Sequence, residues 1–164
     1  MSRAFVSEAA EEASAAALPE RPISDAPNLV TPHGVALIDA EIARLQADLA
    51  AALTDDPARA GYERDLRYWR ARRASAQTVP GLTAIPEEVV FGCTVTVRRA
   101  GAGTATYTIV GEDEADPRAG LLAWSSPLAT ALLGAGVGDT VETGGGRAPV
   151  SIEQIGLRQA SPPA

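Results

Sequence analysis

The sequence contains no lysine: all fourteen basic residues among its 164 are arginine, a bias that nucleotide composition explains as readily as function. Aromatic residues make up only 4%, so any pocket will be poor in rings. A single cysteine, Cys93, excludes an internal disulfide framework and fits a reducing compartment, with the cytoplasm as the default. The first residues carry Arg3 but also Glu8, Glu11 and Glu12, and no continuous apolar run, so neither a signal peptide nor a membrane span is expected. The formal charge of -7 argues against binding nucleic acid through the whole surface, while leaving room for local basic patches. At 46% apolar, the chain has material for one core and an accessory element.

The organisation follows from changes of period. Residues 1–30 combine SEAAEEASAAAL, which a helix capped by Ser7 would fit, with the proline-rich PERPISDAPN; they read as a mobile arm. Residues 31–78 carry apolar residues at Val35, Ile38, Ile42, Leu45, Leu49 and Ala52, an alternation of three and four that defines a heptad seam. The interruption TDDPARAGY follows, and the seam resumes at Tyr62, Leu66 and Trp69 before thinning to Arg73 and Ala76. Two helices of about 20 residues joined by a few turn residues are expected to run antiparallel as a coiled coil spanning roughly 30 Å. Asp55 or Asp56 suits the N-cap of the second helix and Pro57 its first turn.

Residues 79–85 form a linker, and from 86 to 156 the period becomes that of strands, with 157–164 left as a tail. VVFGCTVTVRR, TATYTIVG, LLAW, VGDTVET and APVSIEQI read as strands of a small antiparallel sheet, with AGAG and GGG as turns. Between the third and fourth lies SSPLATALLG: Ser126 caps a helix, Pro127 takes its first position and Gly134 stops it. The fold class is therefore α+β, a helical hairpin followed by a sheet with one short helix.

Residue chemistry alone offers few sites. Asp55 and Asp56 read as cap and turn, and the arginine run as a solvated helix face paired with Glu63 and Asp65. His33 lacks ligand partners at metal spacing, and Cys93 lacks a histidine beside it in sequence. Trp69 and Trp124 read as core. GAGVGD follows a helix and precedes a strand, the reverse of a phosphate loop.

VVFGCTVTV, TYTIVGEDEADPRAG, SSPLATALLG and GDTVE, in that order and spacing, resemble the C-terminal domain of the bacterial GreA/GreB transcript cleavage factors. VTPHGVALIDAEIARLQ resembles the opening of that family's coiled coil, so the likeness spans about residues 29–156. The resemblance implies an FKBP-like C-terminal domain that grips RNA polymerase at the rim of its secondary channel, with the hairpin inserted into the channel. It implies polymerase contacts at Ser125, Ser126, Pro127, Ala129, Asp113 and Glu114, and RNA or polymerase contacts at Arg59, Arg64 and Arg67. The protein would be a monomer without intrinsic cofactor or metal. The only Mg²⁺ involved would be one shared with the polymerase active site, which two tip acids help to hold.

At the tip this sequence departs from the family, which reads approximately G-D-L-x-E-N-A-E-Y. TDDPARAGY sets Asp55 on the first acid, Ala60 on the alanine and Tyr62 on the tyrosine, but Ala58 on the second acid and Arg59 on the asparagine. Both helices look shorter by similar amounts. Asp56 is the one candidate to replace the missing acid, and a guanidinium at Arg59 would compete for the same carboxylates. Weak or absent cleavage stimulation follows; a fully active factor using Asp55 and Asp56 and a coiled-coil module with another partner are the alternatives. Prolyl isomerase activity is disfavoured, since residues 86–156 contain only Phe91, Tyr107 and Trp124 to form a proline cup.

Overall fold

The computed structural model describes residues 18–144 and 147–158. They divide into two compact units: residues 18–25 with 38–75, and residues 26–37 with 76–158. The helix that Ser7 would cap lies outside the described residues, as do most of the GGG turn and most of the C-terminal tail.

The first helix, α1 (Pro32–Ala51), opens in the second unit and continues through the first. Thr31 caps it, its hydroxyl accepting the Gly34 amide at 2.9 Å, and Pro32 stands where a first-turn amide would have no partner. Further along, Ile38 and Leu45 are buried one heptad apart, as the seam requires, while Ile42 and Leu49 are half-buried. The second helix, α2 (Arg59–Ser75), buries Leu66 and half-buries Tyr62 and Trp69. Its next seam position is Arg72, 2% exposed, and not the exposed Arg73 where the pattern was expected to thin. Arg73 instead pairs with Asp39 at 2.7 Å, and Arg59 reaches the carbonyl of Leu49 at 3.3 Å. Contacts thus join the late part of α2 to the early part of α1 and the reverse.

In the second unit, β1 (Leu29–Val30) pairs in parallel with β2 (Gln77–Thr78), Leu29 opposite Gln77 and Val30 opposite Thr78. Neither strand was expected: residues 29–30 were assigned to the arm and 77–78 to the coiled coil. Two residues bracketing the helices are too few for a periodic signal, and only their meeting across 48 positions makes them strands.

The main sheet contains β3 (Cys93–Arg99), β4 (Gly103–Val110), β5 (Leu121–Ala123), β6 (Thr140–Val141) and β7 (Val150–Leu157). Their order is β5-β4-β3-β7-β6. β5 lies parallel to β4, with Ile109 opposite Leu122, so the sheet is mixed and not wholly antiparallel as expected. The connection through 111–120 carries two 3₁₀ turns and returns the chain to the same end of β4. β3 alternates as its sequence demands: Cys93, Val95 and Val97 face the core, and Thr94, Thr96 and Arg98 face away. On the outer face Thr94 stands opposite Thr108 and Thr96 opposite Thr106, the latter pair linked at 2.9 Å.

β7 poses a register problem, since Ile152 and Ile155 are three apart and strict alternation would put them on opposite faces. The register against β3 shifts between Thr96 and Val97, so that Glu153 is an extra residue and both isoleucines stay buried. The short helix α3 (Pro127–Leu132) closes the core with Ala129 and Leu132, both fully buried. Ser126 caps it, its hydroxyl accepting the Ala129 amide at 3.3 Å, and Gly134 follows at φ 82, a left-handed stop.

Candidate functional sites: the turn, the arginine helix and the α3 opening

Residues 52–58 between the long helices settle the roles of the paired aspartates. Asp56 accepts the Ala58 amide at 2.8 Å through its side chain and the Arg59 amide at 3.0 Å through its carbonyl. It is therefore the cap, and regular helix begins at Arg59, two residues beyond Pro57. Asp55 is exposed. The adjacent carboxylates are unequal, since Asp56 is engaged with the start of α2 and Asp55 is left to solvent.

Arg59 does not compete for these acids, contrary to the expectation from its position. Its Nη1 donates to the carbonyls of Leu49 at 3.3 Å and Ala52 at 3.5 Å, and its Nε lies 3.3 Å from Glu63. The last carbonyls of α1 have no intrahelical donor, and a guanidinium one chain reversal away satisfies them while meeting the negative end of the helix dipole. Sequence order placed Arg59 near Asp55; the reversal placed it nearer to the end of α1.

The other two arginines singled out in the sequence lie along α2. Arg64 pairs with its neighbour Asp65 at 2.7 Å, and Arg67 with Glu20 at 2.6 Å. Glu20 was not foreseen here. The hydrogen bond from Arg67 holds the Glu20 carboxyl below its usual range, and the same bond raises Arg67. Arg21 adds a guanidinium 3.8 Å from the centre of the Tyr68 ring.

The segment leading into α3 presents a mixed surface. Ser125 is exposed and donates to Glu112 at 2.6 Å, and Pro127 is exposed in the first helical turn. Ser126 is half-buried as the cap, and Asp113 is half-buried in the first 3₁₀ turn. Ala129 and Glu114 are corrections, because neither offers a surface to a partner. Ala129 has no exposure at all and packs in the core. Glu114 turns inward from the acidic loop: its carboxylate accepts from Thr31 at 2.5 Å and from Arg158 at 2.5 Å, with the side chain wholly enclosed. Thr31 belongs to the cap of α1 and Arg158 follows β7, so Glu114 ties three separated stretches of this unit together. No local signal in GEDEADPRAG distinguishes it from the acids beside it, the half-buried Glu112 and Asp113.

Backbone proximity constrains the same region. A side chain on Gly111 would bring its first carbon within 2.6 Å of the Leu29 carbonyl, and one on Gly34 within 2.8 Å of Val30. Only glycine fits at either point.

On the outer face of the sheet lies an open concavity of about 600 Å³, lined by the four threonines, Gln154, Arg158 and neighbours including His33. No phenyl, phenol or indole ring lines it. Among the described residues no three or more histidine, cysteine, aspartate or glutamate side chains cluster to hold a metal ion. Asp55 and Asp56 are too few to bind Mg²⁺ by themselves, and Asp56 is already committed to its cap. Cys93 opens β3 with its side chain buried in the core, and burial pushes its thiol up, which disfavours the nucleophilic thiolate near neutral pH.

These features define an α+β protein whose long helices carry surface charge and whose mixed sheet is closed by a short capped helix. The family model described as "Transcription elongation factor, GreA/GreB, C-term" matches residues 84–156, the sheet and α3. A transcription elongation factor GreA of Verminephrobacter eiseniae is 41% identical over 117 residues, covering 68% of this chain and 72% of that protein. The GreA of Desulfovibrio desulfuricans is 40% identical over 96 residues, 58% of this chain and 59% of its own length. A solved GreA/GreB structure from Nitrosomonas europaea is 23% identical with a TM-score of 0.39, over 81% of this chain and all of that one. The chain belongs to the GreA/GreB family of transcription elongation factors.

Proposed function

We propose that this protein binds RNA polymerase as a monomer in the cytoplasm, gripping the rim of the secondary channel through an FKBP-like C-terminal domain. The helices act as a coiled-coil hairpin inserted into that channel. Membership of the family supports the partner, and the exposed Pro127 at the opening of α3, flanked by Ser125 on Glu112, supports this surface as the grip. Asp113 borders it; Glu114 acts indirectly, by holding the loop from within.

In this reading the hairpin obstructs the channel and stimulates transcript cleavage weakly or not at all. The observation that carries it is the commitment of Asp56 to the Ala58 amide, which leaves Asp55 as the one carboxylate of the turn free to meet a cation. Any Mg²⁺ would be held chiefly by the polymerase. Arg64 and Arg67 contact the transcript, whereas Arg59 serves the end of α1.

The test separates binding from chemistry: co-purification with cognate core polymerase, then cleavage of a stalled, backtracked transcript. Binding with little cleavage is expected, and Asp55→Ala with Asp56→Ala should leave the effect on transcription nearly unchanged. Strong Mg²⁺-dependent cleavage lost in that double variant would establish a fully active factor. Failure to bind polymerase at all would favour a helical module for another partner.

A further inference from the structure

We propose that Arg67 and Tyr68 form a nucleotide site for single-stranded RNA, which the chain's own Glu20–Arg21 segment occupies as a mimic. This rests on the reading of the α2 arginines as transcript contacts, and goes beyond it by naming a ring, an arrangement and an internal competitor. The Arg67 guanidinium donates from Nη2 at 2.6 Å and from Nε at 3.1 Å to a single oxygen of Glu20, Oε1, the place where one oxygen of a phosphate would sit. The next residue, Arg21, holds its guanidinium 3.8 Å above the Tyr68 ring, within the spacing of a stacked base. An anion on the arginine and a flat polar group on the neighbouring ring are together the two contacts that one nucleotide makes with a single-strand-binding surface.

The segment is shaped for this position. Pro19 and Pro22 flank the pair, which biases Leu18 and Arg21 toward extended backbone and limits the conformations the segment must give up. Leu18 lies along the same helix beside Gly61, where a larger residue would touch its methyl group. Arg21 also faces Asp65 at 3.9 Å, and the Trp69 ring lies edge-on to Tyr68 at 5.2 Å. Arg64 and Arg70 extend the cationic face by one helical step on either side of Arg67, so a strand entering here meets a row and not a single charge.

Stability does not explain the arrangement. The side chains of Glu20 and Arg67 are 63% and 56% exposed, and ion pairs in such positions contribute little net free energy. A polyanion that releases counterions at several arginines can therefore displace the segment.

The experiment uses the full chain and a labelled, unstructured single-stranded RNA 15-mer, read by fluorescence anisotropy from low to moderate salt. Arg21→Ala is decisive because charge counting and the mimic predict opposite signs. Removing a cation should weaken binding by charge alone, but freeing Tyr68 should tighten it about threefold or more. Glu20→Gln should also tighten binding and steepen the salt dependence by about 0.7, the single-strand value for one more phosphate contact. Glu142→Gln, which removes an equal charge far along the sequence, should leave affinity unchanged within about twofold. Arg67→Ala and Tyr68→Ala should weaken binding, and either should abolish the gain given by Arg21→Ala. Weaker binding by Arg21→Ala, with Arg67→Ala still damaging, would overturn the mimic and leave the arginine contacts standing. Unchanged affinity in both Arg64→Ala and Arg67→Ala would overturn the two together.

Discussion

Along its seventeen residues α2 buries only Leu66 and Arg72, whereas the sheet and α3 enclose eleven side chains, among them Val95, Ile109, Leu132 and Ile152. The named contacts of the helical unit are largely exposed ion pairs: Arg44 with Glu41 and Asp48, Arg73 with Asp39, Arg67 with Glu20. In the second unit the key polar contact is the reverse case, a carboxylate sealed from water between a threonine and an arginine. The difference teaches where function can be altered without disturbing the fold. The exposed charges on the helices, unlike the buried Arg72, can change one at a time at little structural cost, while the binding surface by α3 inherits its shape from a core that tolerates little.

That comparison breaks most readily at Glu114. Glu114→Ala leaves the Thr31 hydroxyl and the Arg158 guanidinium without their shared acceptor, and the expected loss is about 3 kcal/mol in urea denaturation. A loss comparable to that of an exposed pair, under about 1 kcal/mol, would show that the acid contributes no more than a surface charge.

Pro127→Arg sharpens the contrast from the opposite side, because Pro127 is exposed on a helix whose other face is core. Affinity for core polymerase should fall at least about tenfold, equivalent to about 1.4 kcal/mol, with circular dichroism and melting unchanged. Retained affinity in the folded variant would remove this surface from the proposed grip.

At the turn the two aspartates should part company. Asp56→Ala forfeits a helix cap and should cost about 1 kcal/mol, whereas Asp55→Ala should be silent in thermal melts. Equal effects would mean that the cap alternates between them.

The smallest effect expected is at Cys93. Its folded thiol titrates above the ordinary range, so the unfolded chain ionises first as pH rises. The stability associated with the neutral buried thiol is complete below about pH 8.5 and declines above it. Alkylation by iodoacetamide at neutral pH should therefore proceed only as fast as the sheet opens, and rapid labelling of the native protein would contradict the burial.

Much of this was legible residue by residue. Ser126-Pro127 announced the start of α3, the alternation in CTVTV gave β3 its two faces, and the heptad spacing put Ile38, Leu45 and Leu66 inside. These are local signals, since capping and periodicity depend on neighbours within a turn or a pleat. Expectations failed where a residue's partner lies far along the chain. Glu114 and its acidic neighbours are alike in sequence, and its burial depends on Thr31 and Arg158, 83 and 44 residues away.

The sequence by itself determined the long helices and the strands of the main sheet, the short helix with its cap and stop, the inert cysteine and the turn that carries only two adjacent acids. Each follows from propensity, spacing or composition, which act on the chain before it folds. Only the tertiary structure decided that β5 runs parallel to β4, that β1 meets β2, that Arg59 turns to the end of α1, and that Glu20 and Arg21 lie on Arg67 and Tyr68. The physical reason is that a charge or strand edge has no partner preference strong enough to be read locally. An arginine donates to any nearby oxygen, and which oxygen is nearby is fixed by the path of the whole chain.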